Sequence, residues 1–308
     1  MAKLVDLEAI RASRLKIVID SMYGAGAGYF RKLLGGGTIG LSEINETRNP
    51  LFPGIKQPEP VADNLAQLTD TVIKEKASVG LATDGDADRI GIVDENGVYM
   101  STLHVFALLC LYLLETRGQR GPIVKTVTMS GMAYRLGELF EVPVYETEVG
   151  FKYVAPVMTA QAALIGGEES GGYGFRGHLP ERDGILAGLY FLDLMLKTGK
   201  SPSQLIDYLH SKVGPHYYRR VDIKLDDRKV TPDANRLREL APGSIDGVKV
   251  ANTDTKDGLR FIMADNSWLL IRLSQTEPLL RLYAEGGTPE RVAGLLKKAQ
   301  ELVSAGAR

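Results

Sequence analysis

The stretch ATDGDADRIGIVDENG, Ala82 to Gly97, sets Asp84, Asp86 and Asp88 at every second position between two apolar runs. SVGLAT before it reads as a strand ending at the aspartates. RIGIVDENGVYM after it holds Asn96 and Gly97 between apolar runs, a strong hairpin signal. Carboxylates at i, i+2 and i+4 repel one another unless a counter-charge gathers them, and oxygen ligands suit a hard cation such as Mg²⁺ or Ca²⁺. An EF-hand would use Asp84, Asp86, Asp88 and Glu95, but its sixth position needs glycine and Arg89 stands there, with strands rather than helices as flanks. The EF-hand is excluded. The plain alternative is a solvated acidic turn. Arg89, beside the cluster, is placed to steer a phosphate toward the metal.

Around this loop the chain alternates. LKIVID reads as a buried strand, MYGAGAG as a turn into a helix over Tyr29–Leu34, and VADNLAQLTDTVIKEK as a helix. Thr102–Arg117 reads as a long apolar helix closed by Gly118. The pattern then restarts: PIVKTVT, VPVYETE and ALIGG read as strands, with helices over Met132–Phe140, Phe151–Ala160, Gly184–Leu196 and SPSQLIDYLHSK. From Pro215 strands cluster (YYRRVDIKL, GVKVANT, LRFIMAD, SWLLIRL, LLRLYAEG), with a capped helix at VTPDANRLREL and a closing helix over Pro289–Ser304. The expected fold is two consecutive three-layer α/β/α domains, 16–118 and 119–213, then a smaller α+β domain, 214–308. Residues 1–15 read as a linker or tail.

At 308 residues the chain exceeds one ordinary core. A net charge of −1 argues against a general nucleic-acid binder, though not against a local anion site. The single cysteine, Cys110, lies in HVFALLCLYLL and reads as a buried small hydrophobe in a reducing compartment. That run is too short for a membrane span, and the charged N-terminus has no apolar signal core. A cytoplasmic protein without nucleic-acid or membrane partners is expected.

Three further loops carry candidate chemistry. YGAGAGY invites a dinucleotide reading, but the fingerprint needs glycine at 29, where Tyr29 stands, and no acidic residue near Glu43 has a clear strand-end context; a tight structural turn is the better reading. GGEESGGYG, Gly166–Gly174, sets Glu168 and Ser170 among glycines, and a carboxylate that accepts beside a hydroxyl that donates and accepts suits sugar hydroxyls. The plain alternative is a surface loop, with Asp183 merely capping the next helix. RLSQTEPLLR brackets a turn with Arg272, Ser274, Thr276 and Arg281, a plausible phosphate site or simply a polar turn.

In order, TDGDADR, VGFKYV, GEESG and RLSQTEP resemble motifs of the α-D-phosphohexomutase superfamily, the phosphoglucomutases and phosphomannomutases, across essentially the whole chain. The resemblance implies three related α/β domains and a C-terminal domain around a cleft. It implies Mg²⁺ on Asp84, Asp86 and Asp88, sugar reading by Glu168 and Ser170, and a grip on the non-reacting phosphate by Arg272, Ser274, Thr276 and Arg281. Arg89 and Lys152 would lie near the transferred phosphoryl group, supplying positive charge and standing as candidates for proton transfer. Substrates would be glucose or mannose phosphates, with phosphate moving between positions 1 and 6 through a bisphosphorylated sugar.

Three departures stand out. The family's nucleophile is a phosphoserine in a first domain, in a motif like Thr-Ala-Ser-His-Asn-Pro; here none of His104, His178, His210 and His216 follows a serine. The expectation is therefore the second to fourth domains of a mutase, inactive alone and completed by a serine-bearing domain. The alternatives are a serine-less hexose-phosphate-binding protein, a subunit of a split mutase or, less well supported, a phosphatase with Asp84 as nucleophile. The phosphate loop also carries Gln275 where the family usually has glycine, and Gly172 stands where some relatives carry a histidine.

Overall fold

The computed structural model describes residues 1, 3–225, 242–274 and 277–306. The helix expected at VTPDANRLREL, Gln275 and Thr276 lie outside the described residues. The chain divides into two compact units: Met1–Met129, Ala133–Glu146 and Gly150–Lys212, and then Ser130–Met132, Thr147–Val149 and Val213–Arg308.

The first unit opens with α1 (Leu7–Arg11), β1 (Lys16–Asp20), α2 (Tyr29–Leu34), β2 (Gly40–Ile44), α3 (Ala66–Glu75), β3 (Val79–Thr83), β4 (Ile90–Val93) and β5 (Tyr99–Met100). The sheet order is β2-β1-β3-β4-β5; β1 runs parallel to β2 and β3, and β4 and β5 complete it antiparallel. A strand covered on both faces must be apolar on both, and β3 is buried throughout. One face packs Val18, Ala82 and Val93 against Leu68 and Val72 of α3. Gly80 lets that helix approach, since a Cβ there would fall 2.7 Å from Val72. The expected hairpin forms at Asn96-Gly97, with the Asp94 N–H donating to the Val98 carbonyl.

Helix α4 (Thr102–Leu111), capped by the Ser101 hydroxyl, continues as a π-helical turn over Tyr112–Thr116 where the sequence pattern predicts one helix to Arg117. From Val105 to Leu114 every residue is buried, Cys110 included. A helix apolar all round must be enclosed, and α4 touches both sheets of this unit: it packs on β4, and Phe106 abuts Gly167 of the second. That second sheet joins β6 (Ile123–Thr126), β7 (Val144–Thr147), β8 (Ile165–Gly167) and β9 (Tyr173–Phe175) in the order β7-β6-β8-β9, with α5 (Met132–Leu139) and α6 (Phe151–Ala160) between them in the chain. Val124 packs on Phe151, Val154 and Met158 of α6. Helices α7 (Gly184–Thr198) and α8 (Pro202–Val213) follow. Asp183 caps α7, its Oδ1 accepting from the Leu186 N–H at 2.8 Å.

The second unit is an antiparallel sheet ordered β10-β15-β14-β13-β12-β11, from β10 (Tyr217–Lys224), β11 (Ser244–Ile245), β12 (Val248–Asp254), β13 (Leu259–Met263), β14 (Trp268–Leu273) and β15 (Leu279–Gly286). Its inner face, with Phe261, Leu269, Ile271, Leu280 and Leu282, is covered by Val292, Leu295, Leu296 and Ala299 of α9 (Pro289–Gly306). The two three-layer α/β/α assemblies and the closing α+β sheet are the architecture the sequence implies.

Candidate functional site

Strands β3 and β4 pair up to Thr83 and Ile90, so Asp84–Arg89 is the loop between them. Carboxylate oxygens of Asp84, Asp86 and Asp88 lie within 4.8 Å of one another, close to the roughly 4–5 Å span of a hard cation's ligand shell. Burial pushes the Asp84 pKa up to about 7, with the Asp88 and Asp86 carboxylates adding to it, although the Arg89 N–H donates to its Oδ1 at 3.0 Å. Asp88 Oδ1 is buried and accepts no hydrogen bond. An all-oxygen donor set that includes a buried oxygen without a hydrogen bond, faced by Arg89 Nε at 3.7 Å, and a carboxylate driven toward its neutral form fits a divalent cation. Arg89 is committed to carboxylates: Nη1 lies 3.0 Å from Glu59, and Nε 3.4 Å from Asp84.

The glycine-rich turn after β1 supports this loop. The Ala25 N–H donates to the Gly85 carbonyl at 2.9 Å, and a Cβ on Gly24 would fall 2.7 Å from the same oxygen. Glu43 is a correction to the sequence reading: it lies in β2, with Oε1 accepting from the Gly28 N–H and the Ser21 hydroxyl, both at 2.7 Å. Its partners are the chain's own groups, so the carboxylate fastens the start of α2.

The loop with Glu168 and Ser170 turns β8 into β9 and is bound to the acidic loop. The Ile90 N–H donates to the Gly171 carbonyl at 3.1 Å, Arg89 and Gly172 form a β-bridge, and the Thr102 hydroxyl donates to the Glu169 carbonyl. Glu168 is buried, which raises its pKa against the opposing charges of Arg182 and Arg89; Ser170 is half-buried. Arg182 spans the two loops, 2.6 Å from Asp88 and 3.3 Å from Glu168. Lys152, exposed in the first turn of α6, rests over the Tyr153 ring at 5.0 Å, and the preceding Gly150 N–H donates to Glu168.

In the second unit Arg272 and Arg281 lie directly opposite on β14 and β15, so residues nine apart in sequence share one face of the sheet. Arg272 is buried against Asp257 at 2.9 Å, and Asp257 also accepts from the Val149 N–H. Arg281 pairs with Glu277, whose N–H donates to the Ser274 hydroxyl at 3.3 Å. The sequence reading missed Arg182, Glu59, Gly24 and Asp257. Arg182 directly precedes Asp183 of the α7 cap, the one local signal near it.

Profiles of three successive domains of one family match this chain: "Phosphoglucomutase/phosphomannomutase, alpha/beta/alpha domain II" over residues 1–97, "alpha/beta/alpha domain III" over 103–213, and "C-terminal domain" over 224–302. The "Phosphoglucomutase/phosphomannomutase" of Thermococcus kodakarensis is 33% identical over 304 residues, covering 97% of this chain and 63% of its own length. The "Probable phosphoglucosamine mutase" of Methanosphaera stadtmanae is 32% identical, covering 94% and 61%. A crystal structure from Thermus thermophilus, assigned by inference as a phosphomannomutase, superposes with a TM-score of 0.83 at 34% identity over 98% of this chain and 64% of that one. The chain thus spans a little over three fifths of the length of the curated relatives it matches.

Proposed function

The chain belongs to the phosphoglucomutase/phosphomannomutase family, and from that premise we propose that it supplies the metal, sugar and phosphate elements of a Mg²⁺-dependent hexose-phosphate mutase. The observation that carries this reading is the fusion of two loops: the acidic loop and the Glu168 loop are joined backbone to backbone by the Arg89–Gly172 bridge, closed by the Ile90 N–H donating to the Gly171 carbonyl. A metal-bound phosphoryl group and the sugar that bears it would then be read from one rigid frame.

Asp84, Asp86 and Asp88 would hold Mg²⁺, which when bound neutralises charge developing on a phosphoryl group in transit. Glu168 accepts from sugar hydroxyls while Ser170 both donates and accepts. Arg89 and Lys152 supply positive charge at the reacting phosphate. Arg272, Ser274, Thr276 and Arg281 hold the other phosphate; each guanidinium has five N–H donors, so an anion is gripped without giving up Asp257 or Glu277. The substrates are glucose or mannose phosphates, and the lone buried cysteine is in keeping with a reducing, cytoplasmic setting.

No serine precedes a histidine in these residues, so the nucleophilic serine of the family comes from outside them and this chain alone binds without turning over. The same observation favours a second reading, a hexose-phosphate-binding protein or the subunit of a split mutase. Calorimetric titration with glucose 1-phosphate and mannose 1-phosphate in Mg²⁺, beside a coupled assay for the 6-phosphates, tests both parts. Saturable binding weakened in Glu168→Gln, without turnover, is expected. Turnover by the chain free of host enzyme refutes the inactivity, and absence of binding refutes the assignment.

A further inference from the structure

Arg182 lies outside every loop that the sequence motifs mark, yet it joins two of them. Its Nη2 is 2.6 Å from Asp88 Oδ2 and its Nη1 3.3 Å from Glu168 Oε2, with the guanidinium 5.8 Å from the Phe151 ring centre. Gly172 makes the room. A Cβ there would fall 2.3 Å from Arg182 Cδ and 3.0 Å from its Cγ, so a side chain at 172 and Arg182 in this position exclude each other. Gly172 cannot simply withdraw, because its bridge to Arg89 fixes it to the acidic loop.

We propose that Arg182 is a built-in counter-ion shared by the acidic loop and the Glu168 loop, seated by the missing side chain at Gly172, and that it opposes a divalent cation at Asp88. The proposal rests on the reading of Asp84, Asp86 and Asp88 as metal ligands. Without a cation, Arg182 neutralises part of the carboxylate cluster and keeps the two loops in register. With a cation on Asp88, like charges repel, and Arg182 shifts its weight toward Glu168, the carboxylate assigned to the sugar. Metal loading and the electrostatics of sugar reading are then coupled through one side chain. A residue with a side chain at 172 would abolish that coupling.

Removing a unit charge a few ångströms from a divalent ion changes affinity on the order of tenfold even at the dielectric of water. The test uses the whole chain, with Mn²⁺ as the probe, followed by paramagnetic resonance and calorimetry. Arg182→Met is expected to bind Mn²⁺ on the order of tenfold more tightly than wild type, whereas Arg182→Lys, which keeps the charge, stays near wild type. Gly172→Ala, which displaces the arginine stem, should move affinity in the same direction, and adding it to Arg182→Met should change nothing more. Unchanged or weaker binding in Arg182→Met, with Asp84→Asn abolishing binding in both backgrounds, overturns the proposal and leaves the metal reading standing. Wild-type protein that does not bind Mn²⁺ overturns both. Should Arg182→Met fail to fold, Gly172→Ala decides: an affinity equal to wild type refutes the seating role.

Discussion

Replacing Gly184 by alanine tests whether the acidic loop is held by the helix beneath it. Gly184 begins α7, and its N–H donates to the Ala87 carbonyl at 3.0 Å. A Cβ at this position would lie 2.2 Å from the Arg89 carbonyl oxygen and 3.0 Å from that of Ala87. Both oxygens belong to the loop backbone, so no flexible side chain can swing aside; the helix and the loop must part by about 1 Å. Overpacking of this kind costs roughly 1–3 kcal/mol, and weakening the Gly184 hydrogen bond adds about 1 kcal/mol. For a unit of this size that corresponds to a fall in Tm of about 5–15 °C. The same displacement spreads the three aspartates, so Mn²⁺ affinity should fall along with stability. Thermal melting in chelator and Mn²⁺ calorimetry report the two effects. Gly287→Ala is the matched control: nothing lies within 4 Å of its added Cβ, and the change should be neutral or stabilise by less than about 1 kcal/mol. A Gly184→Ala protein that melts within ~2 °C of wild type and keeps its Mn²⁺ affinity would show that the loop does not depend on α7.

Three further outcomes are expected. Buried Glu285 accepts from the Gly131 N–H at 2.8 Å and pairs with His216 at 2.9 Å; burial alone would raise its pKa, but these partners outweigh it and hold the pKa below the usual value. Its stabilising contribution is therefore complete above the unfolded value of roughly 4.3 and is lost as pH falls through the folded one. Glu285→Gln should be less stable than wild type at neutral pH, with the gap closing in acid; fluorescence of Trp268, the only tryptophan and the cross-strand neighbour of Glu285, follows it. Lys125 and Glu146 form a buried ion pair at 2.7 Å. Lys125→Met leaves that carboxylate buried without its lysine and should cost about 3–5 kcal/mol, whereas Lys125→Met with Glu146→Leu should cost clearly less, as read by urea unfolding. Asp183→Ala removes the α7 cap and should lower stability by about 1 kcal/mol, measured the same way; equal stability would mean that the backbone alone starts the helix.

The acidic loop was legible because spacing and flanking strands are local properties: alternate aspartates after an apolar run and an Asn-Gly hairpin leave few alternatives. Arg182 was not legible, since its meaning comes from Asp88, Glu168 and the void over Gly172, none of which is its neighbour in sequence. Glu43 misled for the related reason that β2, half-buried at best, carries no apolar alternation to announce it. Strand β9 is three residues long and sits among glycines, which say turn rather than strand. Arg272 and Arg281 could be named from sequence, but not the buried carboxylate that holds the first: Asp257 reaches Arg272 from a different turn.

Helix α4 has a consequence for how the protein assembles. Because its apolar surface is divided between two sheets, neither sheet alone can bury it, and a cut between Gly97 and Ser101 would strand a greasy cylinder on whichever half kept it. The two α/β/α assemblies therefore form one cooperative foldon: the amides of Val105–Leu111 should exchange with solvent only through global opening of the first unit, and an expressed half should aggregate rather than fold.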